Sequence, residues 1–185
     1  LSGLAIFAIG ISMQMNANLG APPWDVFHQG VSNQTGITIG RVIVITGFVL
    51  LFFWIPLKQK PGLGTILNAL EIGLVADIAL EIIPEPNNLF VRIAMAGGGI
   101  VVVALGTGLY IGSALGPGPR DGLMTGLAKR GIPIRVGRTA IEVAVLVTGF
   151  LLGGQVGIAT FAFALGVGPL VQFFLPRMAV KKPTI

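Results

Sequence analysis

Apolar residues fall in six long runs along this chain, separated by short polar or proline-rich stretches. The runs are residues 1–15, 39–55, 62–83, 90–111, 136–152 and 157–175, each near the ~20 residues that a bilayer-spanning helix needs. Prolines mark their ends: Pro56 and Pro61 bracket a turn, Pro84 and Pro86 stop the third run, and Pro176 stops the sixth. Two stretches, residues 20–38 and 116–135, are too polar to span alone. The chain begins inside an apolar run without a Met. Residues 1–15 are therefore expected to be a first span whose N-terminal flank is missing, not a cleaved signal peptide. The pattern predicts an all-α polytopic membrane protein of six transmembrane helices.

The same pattern occurs twice. Leu19-Gly20-Ala21-Pro22-Pro23-Trp24-Asp25 is matched by Leu115-Gly116-Pro117-Gly118-Pro119-Arg120-Asp121, an offset of 96 residues. Ala8 and Gly10 match Ala104 and Gly106, while Gly62, Thr65, Leu70 and Gly73 fall on Gly157, Thr160, Leu165 and Gly168 at an offset of 95. The chain thus reads as one membrane domain of two homologous halves, about residues 1–89 and 90–180. Such duplication in an apolar chain is characteristic of transporters and channels built from internal repeats.

Basic residues give an orientation. With the N-terminus in the cytoplasm, Lys58, Lys60, Arg120, Lys129, Arg130, Arg135, Arg138, Arg177, Lys181 and Lys182 lie inside, and only Arg41 and Arg92 lie outside. Three spans per half then make the second half enter the membrane in the opposite sense. The expected architecture is two inverted three-helix repeats in the bacterial inner membrane, with both termini cytoplasmic. Each repeat carries a short interfacial or re-entrant helix after its first span.

Composition changes this picture little. Hydrophobic residues make up 54% and charged residues 10%, with a mean hydropathy of +0.90, far from soluble usage of about 25% charged. The net charge of +5 is accounted for by the inner loops, so nucleic acid is not an expected partner. The expected partners are the lipid bilayer and an unknown small solute, and a homo-oligomer stays open. Without cysteine and with His28 as the single histidine, there is no thiolate chemistry, no imidazole pair and no metal or cofactor motif. The chain is not expected to be an enzyme.

The candidate functional residues are the polar ones that this apolar frame must accommodate. In Gly20-Ala21-Pro22-Pro23-Trp24-Asp25 and Gly118-Pro119-Arg120-Asp121, proline suits the start of a helix and the aspartate falls in its first turn. Two readings stand: Asp25 and Asp121 cap short interfacial helices, or both helices are re-entrant and aim their N-termini at a central solute. Arg41 and Arg138 each follow a glycine at the start of a span and are expected to pair with the aspartate of their own repeat, with anion binding as the alternative. Glu71 and Glu142 sit near mid-span, where an acid costs about 2.5–3.5 kcal/mol on the lenient insertion scale and so normally faces a polar interior. They are proton-site candidates or protonated structural acids. Thr65, Asn68 and Glu71 form one polar stripe, and Asp77 and Glu81 a second; Asp77 matches Gln172 at an offset of 95. Gly149, Gly153 and Gly157, spaced by four across the last hairpin, predict close helix contact.

Residues 17–30, from Ala17-Asn18-Leu19-Gly20 through Asp25-Val26-Phe27-His28-Gln29-Gly30, followed by Gly36-Ile37-Thr38-Ile39-Gly40, resemble the YczE branch of the YczE/YyaS/YitT bacterial integral membrane proteins. Leu115-Gly116-Pro117-Gly118-Pro119-Arg120-Asp121-Gly122-Leu123 with Gly137-Arg138 resembles the second signature of that branch. The resemblance implies a multispanning bacterial inner-membrane protein and brings with it neither activity nor substrate. A small-solute transporter or channel, with its site between the repeats, is the expected function. A non-transporting membrane scaffold or assembly partner of an enzyme complex is the alternative. The two differ in whether Asn68, Glu71 and Glu142 converge on a cavity or are shut in helix contacts.

Overall fold

The computed structural model describes residues 1–113 and 115–178, and these form eight helices and no strand. In chain order they are α1 (Ser2–Asn16), α2 (Pro23–Thr35), α3 (Ile39–Trp54), α4 (Leu63–Ile82), α5 (Leu89–Gly112), α6 (Pro119–Ala128), α7 (Ile134–Leu151) and α8 (Ile158–Met178). Six of them fall on the six apolar runs. Three, α4, α5 and α8, are long and apolar enough by themselves to cross a membrane. α1 and α3 are shorter, and α7 carries Arg135, Arg138 and Glu142 within its 18 residues. α2 and α3 are bent by 113° across a short break and would together make a fourth apolar unit.

The centre is the crossing of α1 and α5. No side chain separates them at two glycine pairs. A Cβ at Gly10 would lie 2.7 Å from the Val103 nitrogen, and one at Gly106 would lie 2.5 Å from the Phe7 nitrogen. Gly10 also faces Gly99, and Gly106 faces Gly3, so the two helices run antiparallel. Small residues let backbones approach this closely and gain dispersion where lipid offers no hydrophobic drive. α4 lies parallel along α1, held by Asn16 Nδ2 donating to the Leu80 and Ile83 carbonyls at 3.0 and 2.6 Å. α8 lies parallel along α5, with Gly108 against Phe174 and Gly166 near Ile100. The outward faces are apolar: Phe48, Phe52 and Phe53 on α3, Leu74 and Ile78 on α4, and Phe161 and Leu165 on α8 are exposed. Such faces suit a bilayer, where apolar exposure has no cost.

Some expectations change. Pro176 does not end the last helix, which runs through it to Met178, and Arg177 Nη1 donates to the Phe173 carbonyl in that final turn. Gly149 and Gly157 do make the close contacts expected of them. Gly149 abuts the backbone of Val26 and Phe27, and Gly157 abuts Leu19 and Gly20, so both serve contact between the two halves of the chain. Gly153, at φ +91°, instead turns the chain after α7. Lys181 and Lys182 lie outside the described residues.

Candidate functional site

The two copies of the duplicated loop are built alike. Gly20 and Gly116 have φ of +106° and +124°, a region open to glycine at little cost. Each packs on the start of a long helix of the other half: Gly20 on Gly157 and Thr160, Gly116 on Gly62 and Thr65. The hydrogen bonds repeat as well. Ala159 N donates to the Leu19 carbonyl and Gly64 N to the Leu115 carbonyl, both at 2.9 Å. The prolines then start α2 and α6, whose N-terminal ends meet: the Arg120 guanidinium carbon stands 4.7 Å from the ring centre of Trp24, its own counterpart at an offset of 96. A cation over an indole face is attracted by the ring quadrupole, the more so when desolvated.

Asp25 and Asp121 stand beside this pair and neither caps its helix through its side chain, although both lie in the first turn. The capping reading is therefore corrected. Asp25, 1% exposed, faces fully buried His28, whose Nδ1 lies within hydrogen-bonding distance of Asp25 Oδ1 at 3.2 Å. Asp121 Oδ2 accepts from Tyr110 Oη at 2.9 Å. Both carboxylates turn instead toward side chains, Asp25 toward His28 and Asp121 toward Tyr110.

The arginines also depart from expectation. Arg41 is exposed and pairs with no carboxylate among the described residues. Arg138 pairs with Glu142, one turn along α7, at 2.9 Å rather than with Asp121; their side chains are 57% and 32% exposed. The third span's polar stripe divides. Thr65 is buried and its Oγ1 donates to the Pro117 carbonyl at 2.7 Å. Asn68 stands beside Gly118 and Asp121, whereas Glu71 Oε2 is buried without a partner. Asp77 accepts from Thr38 Oγ1 and from Gly40 N, both at 2.6 Å, and so caps α3 from α4; no bond joins it to Glu81.

A cavity of about 460 Å³ opens where these elements meet. Asp25, Asn68, Asp121, Arg138 and Glu142 line it, together with Arg120, Tyr110 and His28, while Glu71 and Arg41 do not. Its remaining wall is apolar, Ile72 and Val103 among it. Arg120 is the cavity's cation with no carboxylate within ion-pairing distance among the described residues. No three described His, Asp or Glu side chains gather as a metal site would need. Arg120, Tyr110 and His28 were not among the candidates. The signals were there: Arg120 is the charge by which the second motif copy differs from the first, and Tyr110 is the single tyrosine of the chain.

Residues 1–176 match the family described as Family of unknown function (DUF6198). The chain belongs to that family. It is 42% identical over 180 residues to an uncharacterized protein of Haemophilus influenzae, covering 97% of this chain and 83% of that one. It is 31% identical to the uncharacterized membrane protein YczE of Bacillus subtilis, over 95% of this chain and 83% of the relative. The uncharacterized protein YyaS of Bacillus subtilis is 29% identical over 94% of the chain and 89% of its own length. No solved structure matches. A YczE-like membrane protein is what the family, the named relative and the apolar helices agree on.

Proposed function

We propose that this chain is a small-solute secondary transporter or channel of the bacterial inner membrane, with no enzymatic activity. It would cross the membrane as two inverted three-span repeats with cytoplasmic termini, and the solute would bind between them. The observation that carries this reading is the cavity into which two sequence-equivalent helix starts bring Asp25, Arg120 and Asp121 from opposite halves. Inversion is supported by the antiparallel crossing of the equivalent helices α1 and α5 at the matched pairs Gly10 with Gly99 and Gly106 with Gly3. Facing helix N-termini and unpaired donors at a bilayer midplane are how broken-helix transporters hold polar solutes. The lining suits a small solute with a polar head, accepted by Arg120 and Asn68, and an apolar body against Ile72 and Val103. Of the three residues that separate the two readings, Asn68 and Glu142 line the cavity as a transporter would have them, while Glu71 is shut away from it without a partner, as a scaffold would have it.

Uptake of a broad panel of small polar and amphipathic compounds into proteoliposomes tests the proposal. A compound taken up by the wild-type protein and not by Arg120→Gln supports it. Panel-wide uptake no faster than in empty liposomes, with the protein folded, counts for the scaffold.

A further inference from the structure

The two halves share a sequence pattern but not a conformation. In the first half α3 is closed on α4. A Cβ added at Gly40 or at Gly73 would run into the other's carbonyl oxygen, Gly47 packs on Ala69, and Asp77 holds Thr38 and Gly40 at the end of the seam. In the second half the counterparts are apart. Gly168, the match of Gly73, has nothing within 4 Å of where its Cβ would be, and Gly137, the match of Gly40, meets only Leu127 and Ile132 at 3.7 Å. The cavity fills the gap: Arg138 and Glu142 of α7 and Gly168 and Gln172 of α8 line it, whereas Gly40, Gly73 and Asp77 do not. Gly168 and Gly137 are therefore small residues with nothing to be small for in this arrangement. One buried group tells the same way. Gln14, fully buried with neither amide atom bonded, stands 96 residues before Tyr110, which holds Asp121, itself 96 residues after Asp25.

We infer that the halves exchange conformations: α7 closes on α8 at Gly137 and Gly168 while α3 parts from α4 at Gly40 and Gly73, moving the cavity's mouth to the other side of the membrane. The inference rests on the transporter reading and supplies its alternating access, which repeats of opposite orientation permit because each state is the other with the halves interchanged. In the exchanged state Gln14 stands toward Asp25 as Tyr110 now stands toward Asp121, so an orphaned amide gains an acceptor. On the orientation the basic residues favour, the present arrangement is open to the cytoplasm. The exchange is not a perfect mirror. α7 starts a turn before Gly137, whose N–H already bonds the Pro133 carbonyl, so Gln172 would meet side chains such as Arg138 rather than cap the helix as Asp77 does.

The chain has no cysteine, which allows a clean test with the full-length protein in proteoliposomes. Thr38→Cys with Asp77→Cys reports the α3–α4 seam, and Arg135→Cys with Gln172→Cys reports the α7–α8 seam, each read as an oxidant-induced intramolecular disulfide by mass spectrometry. The first pair, which gives up the Asp77 contacts itself, is expected to cross-link in more molecules than the second, and the second in a minority. Adding Gly73→Ala to the second pair, which props the α3–α4 seam open, should raise its cross-linking about tenfold, the response of a minor state favoured by ~1.4 kcal/mol. Asp77→Asn, which loosens the seam without steric conflict, should raise it in the same direction if Gly73→Ala does not fold. Cross-linking of the second pair that stays at background in both variants overturns the exchange. Transport measured in the same proteoliposomes keeps the two ideas apart: solute uptake with a silent α7–α8 pair leaves a pore without exchange, and no uptake with a responsive pair removes the transporter and leaves the motion.

Discussion

Two aspartates at matching positions hold different neighbours, and their chemistry decides what each substitution does. Asp25 meets the His28 ring and Asp121 the Tyr110 hydroxyl, and both stand near the Arg120 cation, so their charge matters as well as their hydrogen bonds. Asparagine keeps an acceptor but removes the negative charge that offsets Arg120 in a low-dielectric cavity. Asp25→Asn and Asp121→Asn should therefore each abolish uptake while the yield of folded protein stays near wild type; wild-type uptake in both would reduce them to structural residues. Tyr110→Phe deletes one hydrogen bond to a charged group, about 1.5–3 kcal/mol, and should slow uptake without abolishing it. The glutamates separate by position: Glu142 lines the cavity and Glu71 does not. Glu142→Gln, which also breaks the ion pair with Arg138, should lower uptake and Glu71→Gln should leave it near wild type, which side-by-side uptake rates would check. From sequence both acids looked equivalent, because depth along a helix can be counted and the direction in which the side chain faces cannot.

At the scale of elements, the breaks between helices were legible and their packing partners were not. The six apolar runs became six helices within a few residues, and α2 ends on Gly36 at φ +71° as a glycine C-cap should. Pro176 misled because a proline in the last turn deprives only one carbonyl of its donor, which the helix tolerates. Glycine spacing indicated close contacts correctly but named no partner, since a small-residue stripe says that a neighbour comes near and not which one. The pairs at the α1–α5 crossing give a sharper expectation. Gly10→Val and Gly106→Val force matched backbones apart, and each should cost about 1–3 kcal/mol, the usual penalty of overpacking. Gly168→Ala, with nothing within 4 Å, should be neutral or slightly stabilising, because alanine is the better helix former by up to ~1 kcal/mol. Thermal or denaturant unfolding in detergent would show two large losses of similar size and one absence of loss. Equal effects in all three would mean that the crossing is not the tight contact of the fold.

For the whole molecule, the remaining question is how the halves sit relative to the bilayer. The duplication fixes that they are alike, and the antiparallel α1–α5 crossing supports opposite orientation, but the side each loop faces rests on charge. The ends of the two short helices carry the decisive markers: Asn33 near the end of α2, donating to the Gly153 carbonyl, and Lys129 just after α6, donating to Gln59. Both are exposed on polar turns, so cysteine can replace either without disturbing an apolar contact. If basic loops stay in the cytoplasm, Asn33→Cys should label from outside intact cells with an impermeant maleimide, while Lys129→Cys should label only after the membrane is permeabilised. The reverse pattern would keep the inversion and turn the molecule over, making the open α7–α8 side the outer one. Labelling of both from outside would end the inverted-repeat reading altogether, because two equivalent helix ends on one face require an even number of crossings between them.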